Sequence, residues 1–155
     1  MGFAKVYFQR EEGAPAPLSV AVSRRVRFEE VDMLRIVWHG HYVSFLDDGR
    51  VAFGDKYGFT YKDFKENGFA APIVQMHIDY QAPLYFDEVF TIEATAHWCE
   101  ALRLNFEYRL TGEDNRLCAR AYTVQLLTDF QGRILLIPPE FIATFRNKWK
   151  KGQFS

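Results

Sequence analysis

The side chains best placed to do chemistry lie in residues 28–42, Phe28-Glu-Glu-Val-Asp32-Met-Leu-Arg35-Ile-Val-Trp38-His39-Gly-His41-Tyr42. Asp32 closes a strand-like stretch, an apolar turn follows, and a helix is expected to open about ten residues on. That order holds one carboxylate over a helix N-terminus, where unpaired N–H groups and the positive end of the helix dipole face outward. The carboxylate supplies a base or nucleophile, and the N–H groups polarise a carbonyl. A thiol, with a pKa of about 8.5, leaves without a strong general acid. The arrangement therefore suits an acyl thioester, whereas an amide would need a proton donor as well. Taken alone, Asp32 also has a plainer reading, because Asp at a strand end favours turns. The flanking Val31, Met33 and Leu34 predict partial desolvation, which raises a carboxylate's basicity.

The neighbouring candidates weigh less. His39 and His41, two apart, cannot face one way on a helix, so no metal pair is expected. By itself His39 reads as a packed or capping histidine and His41 as an exposed one. Trp38 and the stripe Tyr42, Phe45, Leu46 read as core. His77 and Asp79 share a polar strand face, expected to be solvated or turned to another subunit. Cys99 and Cys118 form neither a metal motif nor a disulfide framework, so both are assigned to packing and a reduced cytoplasmic compartment is the default.

Composition bounds the rest. At 155 residues, 48% hydrophobic and 25% charged, the chain is long enough for one domain with a substantial core. A net charge of -1 gives no electrostatic footprint for nucleic acid. No apolar run approaches the roughly 18 residues of a membrane span. The first ten residues lack a signal-peptide core, and Val6 stands where a myristoylation motif starting at Gly2 needs Ser or Thr.

The elements that must position Asp32 are legible as changes of period. Val20, Val22, Val26 and Phe28 alternate on one strand face, with Arg24 as the exception. Over 41–57 the spacing of Tyr42, Phe45, Leu46, Gly49, Ala52, Phe53 and Tyr57 predicts a helix, stopped by Gly58, with Asp47 and Asp48 near its favourable start. Strand spacing then returns: Val74 to Tyr80, Phe90 to Trp98, Leu102 to Leu110. Turn residues follow at 112–115 and 129–132. Leu117–Thr128 alternates poorly, as a strand buried on both faces does. Pro138-Pro-Glu to Trp149 reads as a short closing helix. Glu11–Pro17 is the one linker-like stretch. The expected division is an N-terminal extension, 1–17, and one α+β domain, 18–155.

This order, with the 28–42 segment, resembles the hotdog-fold acyl-CoA thioesterases of the 4-hydroxybenzoyl-CoA thioesterase type, continuously from about Ser19 to Pro139. Phe28-Glu-Glu-Val-Asp32 resembles the strand end carrying that family's catalytic Asp, and Ile36-Val-Trp38-His39-Gly-His-Tyr42 its helix entry. Pro72-Ile-Val, Tyr80-Gln-Ala-Pro83-Leu and Asp87-Glu-Val-Phe-Thr-Ile92 resemble the strand, turn and strand that follow. The resemblance implies a hotdog fold, an antiparallel sheet of five to six strands wrapped around one long helix. It implies homodimers joined sheet edge to sheet edge, often paired into homotetramers, with sites at the subunit interface. Asp32 is then nucleophile or general base, and the backbone N–H near His39 holds the thioester oxygen. Arg35, Trp38, His41, Tyr42 and Arg103 are the implied substrate contacts, Trp38 along an acyl pocket. No metal or cofactor is implied, coenzyme A being part of the substrate.

Three positions depart from the family pattern. Arg35 stands where relatives often have Gly, His41 where many have Asn, and Glu100–Arg103 lacks a basic cluster for coenzyme A phosphates, leaving Arg103. The expected function is hydrolysis of an acyl-CoA or acyl-carrier thioester. The competing readings are an enoyl-thioester hydratase and a non-catalytic acyl-thioester-binding module. Aryl and short or medium aliphatic acyl groups all suit the aromatic-rich composition.

Overall fold

The computed structural model describes residues 5–154, so Gly2 lies outside it. Five strands form one antiparallel sheet: β1 Leu18–Arg25, β2 Ile73–Tyr80, β3 Val89–His97, β4 Arg103–Thr111 and β5 Leu117–Leu126. Their spatial order is β1-β3-β4-β5-β2. Only the β3–β4–β5 meander follows the chain; both edge strands come from earlier in it. The long helix α1, Tyr42–Tyr57, lies on one sheet face, and Gly58 stops it in the left-handed conformation (φ 66°). The expected hotdog arrangement is what the chain adopts. Helix α3, Glu140–Lys150, opens after Pro139 as its sequence predicts. No helix among the described residues is long and apolar enough to cross a membrane.

Alternation explains which side of each strand meets α1. Phe90, Ile92, Ala94, Ala96 and Trp98 are all buried, as are Phe106, Tyr108 and Leu110 beside them. Phe45 and Phe53 of α1 close this core against Phe90 and Phe106, the first pair tilted and the second edge-on, at 4.9 Å between centroids in each case. Burial of such a ring contributes about 1.5–3 kcal/mol. β5 is buried on both faces, as its poor alternation predicts.

Three expectations fail here. Phe28 does not continue the β1 face: the strand ends at Arg25, and Phe28 opens an exposed 3₁₀ turn, Phe28–Glu30. A second helix, α2 Tyr61–Glu66, follows α1 and went unread; its Thr60–Asp63 capping box, in which Thr60 Oγ1 accepts the Asp63 N–H at 3.1 Å, is its sequence signal. The His77–Asp79 face is not fully solvated: the chain's own N-terminal segment lies on it and leaves the two side chains 35% and 34% exposed. There the Tyr7 hydroxyl donates to Asp79, the Arg120 guanidinium sits 4.5 Å from the Tyr7 ring, and Phe8 packs 5.5 Å from both His97 and Tyr122. Apolar Tyr7 and Phe8 find on that face the flat aromatic and imidazole surfaces that a polar reading of the strand overlooks.

Candidate active site

Asp32 sits at the first corner of a tight turn. Its carbonyl accepts the Arg35 N–H at 3.0 Å and its side-chain Oδ1 accepts the Leu34 N–H at 2.8 Å. This is the Asx-turn geometry that a strand-end Asp favours, so the plain reading of Asp32 holds as far as one oxygen goes. Its Oδ2 takes no hydrogen bond among the described residues. Arg35 closes the turn with φ 63°, which accounts for the glycine expected there: only glycine adopts that conformation without steric cost.

The turn is pinned from both sides. Val31 bridges Val37, and Ile36 bridges Tyr85. The Val37 N–H donates to the Leu84 carbonyl at 2.8 Å and the Phe86 N–H to Arg35 at 3.0 Å. Beneath it lies an ion pair that sequence reasoning missed. Arg24 Nη2 reaches both Glu30 oxygens at 2.7 and 2.8 Å, and Glu30 also accepts the Arg27 N–H at 2.8 Å. The guanidinium lies 4.8 Å from the Phe45 centroid, so Arg24 belongs to the inward face despite its charge. The exception in the β1 alternation, with a Glu six residues later, was the available signal. A second buried carboxylate, Glu88, holds the Tyr85 side of the pin. It accepts the Tyr85 N–H at 2.6 Å, Arg116 Nη2 at 2.6 Å and the Glu113 N–H at 3.2 Å. Arg116 and Glu113 come from a distant stretch of chain, and no local pattern announces them.

The helix entry supplies the donors. Trp38 gives its N–H to the Glu30 carbonyl at 3.0 Å, and a 3₁₀ turn, His39–His41, then leads into α1. The His39 and Gly40 N–H groups have no hydrogen-bond acceptor among the described residues, as the first donors of a helix do not. The Tyr80 hydroxyl donates to the His39 carbonyl at 2.9 Å and fixes this entry to β2. A Cβ at Gly40 would stand 2.2 Å from the Trp38 ring, so a side chain there requires the exposed indole to move.

Each expected site residue has a definite place. Asp32, Arg35, Trp38, His39, His41 and Tyr42 gather at one end of the sheet, around the turn and the helix entry. Tyr42 is buried against Tyr80, and that burial pushes its hydroxyl pKa up to about 12, so it remains protonated. His41 is half-buried rather than exposed, its ring 5.5 Å from Trp38. Trp38 is not core: it is 49% exposed, resting on His39 and His41. Nor do Met33 and Leu34 desolvate Asp32 within one chain, since they are 99% and 75% exposed. Arg103 lies elsewhere. It pairs with Leu126, at the sheet end opposite the Arg25–Val89 pair from which the Asp32 loop departs. One chain does not bring Arg103 and Asp32 together.

A five-stranded antiparallel sheet laid against the one long helix α1 is the arrangement of the hotdog-fold thioesterases. The chain belongs to the thioesterase-like superfamily, whose family model matches residues 26–145. Among curated proteins it is 23% identical over 123 residues to the acyl-CoA thioester hydrolase YbgC of Escherichia coli O157:H7, covering 79% of this chain and 92% of that one. Among solved structures it resembles a hypothetical protein from Aquifex aeolicus, with 27% identity, a TM-score of 0.72, and 81% and 98% of the two chains covered. The DHNA-CoA thioesterase of Staphylococcus aureus shares the fold at 18% identity, with a TM-score of 0.78 and 87% and 91% coverage.

Proposed function

We propose that the protein hydrolyses acyl-CoA thioesters to a free acid and coenzyme A, with Asp32 as general base or nucleophile. One observation carries this reading. A carboxylate with one free oxygen is fixed in a pinned turn seven residues before two unbonded N–H groups at a helix entry. The thioester oxygen lies on the His39 and Gly40 N–H groups, where charge developing on it is stabilised. Asp32 either removes a proton from the attacking water or attacks the carbonyl itself. The carbon–sulfur bond breaks, the sulfur leaves with a proton, and water supplies the hydroxyl of the acid. The activity of YbgC supports the reaction class, and two buried free cysteines support a reducing, cytoplasmic setting.

In the same reading the working unit contains two copies. The exposed Met33 and Leu34 beside Asp32, and the unpaired edge of β2 with Val74 and Tyr80 exposed, are surfaces that a second copy covers. If two β2 edges pair antiparallel about a dyad, the Ile73 end of one meets the Tyr80 end of the other. Arg103, near the Ile73 end, then serves the second copy's Asp32 turn as the contact for coenzyme A phosphate.

Thiol release from a panel of acyl-CoA substrates tests the function. Asp32→Asn should lose about 10²–10⁴ in kcat with KM little changed, since the amide keeps the shape and drops the charge. His39→Ala should cost less, because its backbone N–H survives. A folded Asp32→Asn protein with near wild-type kcat overturns the mechanism. Absorbance change on an enoyl-CoA without thiol release would instead indicate a hydratase, and binding without either, a binding module.

A further inference from the structure

The chemistry of Asp32 leaves a buried carboxylate two residues before it without a role. Glu30 is 7% exposed. Its Oε1 accepts Arg24 Nη2 at 2.7 Å and the Arg27 N–H at 2.8 Å, and its Oε2 accepts the same Arg24 nitrogen at 2.8 Å. Arg24 is held in turn. Its guanidinium lies 4.8 Å from the Phe45 ring, in the first turn of α1, and 5.6 Å from the Phe90 ring on β3. Its Nη1 stands 3.8 Å from Asp48, also on α1. The Glu30 carboxylate thus ties the arm that carries Asp32 to the sheet and to the start of the helix.

Packing holds the turn above it only weakly. Phe28, Met33 and Leu34 flank Asp32 and are 80%, 99% and 75% exposed. The bonds across the turn set its internal shape: the Asp32 N–H donates to the Ile36 carbonyl at 2.9 Å, and the Trp38 N–H to the Glu30 carbonyl at 3.0 Å. They leave open how the Asp32 arm sits against α1. On the other arm, bonds to Leu84 and Phe86 fix the position. On the Asp32 arm the polar anchor is Glu30. A buried ion pair adds little net stability, because desolvation offsets its attraction, but its directed bonds fix a geometry that apolar contacts would not.

We propose that Glu30, through Arg24, is a positioning residue for the hydrolysis, setting the distance between the Asp32 carboxylate and the His39 and Gly40 N–H groups. The proposal rests on the assignment of those groups as the reacting apparatus. Glu30 itself touches no reacting atom. A misplacement of about 1 Å costs on the order of 10²-fold in rate.

Glu30→Gln keeps the size of the side chain and an acceptor for the Arg27 N–H, but sets amide hydrogens against Arg24. In the thiol-release assay its kcat should fall about 10- to 100-fold. KM should stay within about twofold, since a buried group off the substrate contributes no uniform binding. Arg24→Gln should lose a similar amount, and the double variant no more than the larger single loss, because both break one joint. In an Asp32→Asn background, Glu30→Gln should leave the residual kcat unchanged. Loss of folded protein would instead lower kcat by the same factor in both backgrounds, and that result, or wild-type kcat in Glu30→Gln, overturns the proposal. Glu30→Asp, which keeps the charge but draws it back by one methylene, should lose kcat in the same way and decides the matter if the amide variant fails to fold. A second readout needs no turnover. In ¹⁵N-labelled full-length protein, either variant should shift the Leu34 N–H, which reports on Asp32 Oδ1, and the Arg35 N–H, with the amides of β4 unmoved. Leu34 and Arg35 signals left in place overturn the proposal even if activity falls. A wild-type protein that releases no thiol defeats the thioesterase reading, and these amide signals then still decide whether Glu30 places the turn.

Discussion

Arg35 offers a clean separation of backbone from charge. Its left-handed conformation costs roughly 1–2 kcal/mol, and glycine relieves that while giving back about 0.4–1 kcal/mol as unfolded-state freedom. Arg35→Gly should therefore keep stability within about 1 kcal/mol of the parent in chemical denaturation. A rise in KM for acyl-CoA in that variant, falling away with added salt, would show that the guanidinium and not the turn contacts the anionic substrate. The Arg24–Glu30 pair makes a different prediction. Glu30→Ala removes a buried acceptor of Arg24 and of the Arg27 N–H, while Arg24, 18% exposed, keeps Asp48 at 3.8 Å, so it should cost about 1–3 kcal/mol in the same measurement. At this scale Asp32 was legible because strand period, turn and helix period meet around it. Trp38 was misread because an apolar type says nothing about whether a 3₁₀ turn presents it outward. Glu88 was invisible because Glu113 and Arg116 meet it only once β3, β4 and β5 are assembled.

Among elements, the meander and α1 were readable from periodicity alone. The segment carrying Tyr7 and Phe8 was not, since its contacts are with side chains on the outer faces of three different strands. Its docking surface predicts a pH response. Bonds from His97 and Arg120 hold the Glu107 carboxyl below its ordinary value of 4.5, and bonds from Tyr7 and His77 hold Asp79 down in the same sense. Depressed carboxyl values stabilise the fold above the unfolded-state value and lose that contribution as pH falls through the folded-state one. Thermal midpoints should therefore drop as pH goes below about 4.5, and Glu107→Gln should flatten that acid limb. A wild-type and variant pair with parallel midpoint curves from pH 6 to 3 would count against the Glu107 contribution.

For the whole molecule, the exposed turn and the open β2 edge predict self-association. Light scattering at micromolar concentration should return a multiple of the 18.1 kDa chain mass. Arg103→Ala should raise KM for acyl-CoA at low salt with kcat largely kept, although Arg103 and Asp32 lie at opposite ends of one sheet. Mixing Asp32→Asn with Arg103→Ala chains should restore one competent site per mixed dimer, a result that a site built within one chain cannot give. Fold class was available from the sequence because it depends on the order and period of elements. A site shared between copies entered only through the family resemblance, because each side of such an interface reads locally as ordinary surface.

Trp149 donates its indole N–H to the Ala16 carbonyl at 2.7 Å, clasping the closing helix to the lead-in of the first strand. A ribosome delivers those two residues at nearly opposite times. β1 must wait for β3 before it has a partner, and the stretch ahead of it must wait longer, until α3 has emerged. During synthesis Tyr7 and Phe8 therefore remain available to chaperones and proteases until β5, with Arg120 and Tyr122, has emerged, and Ala16 waits longer still.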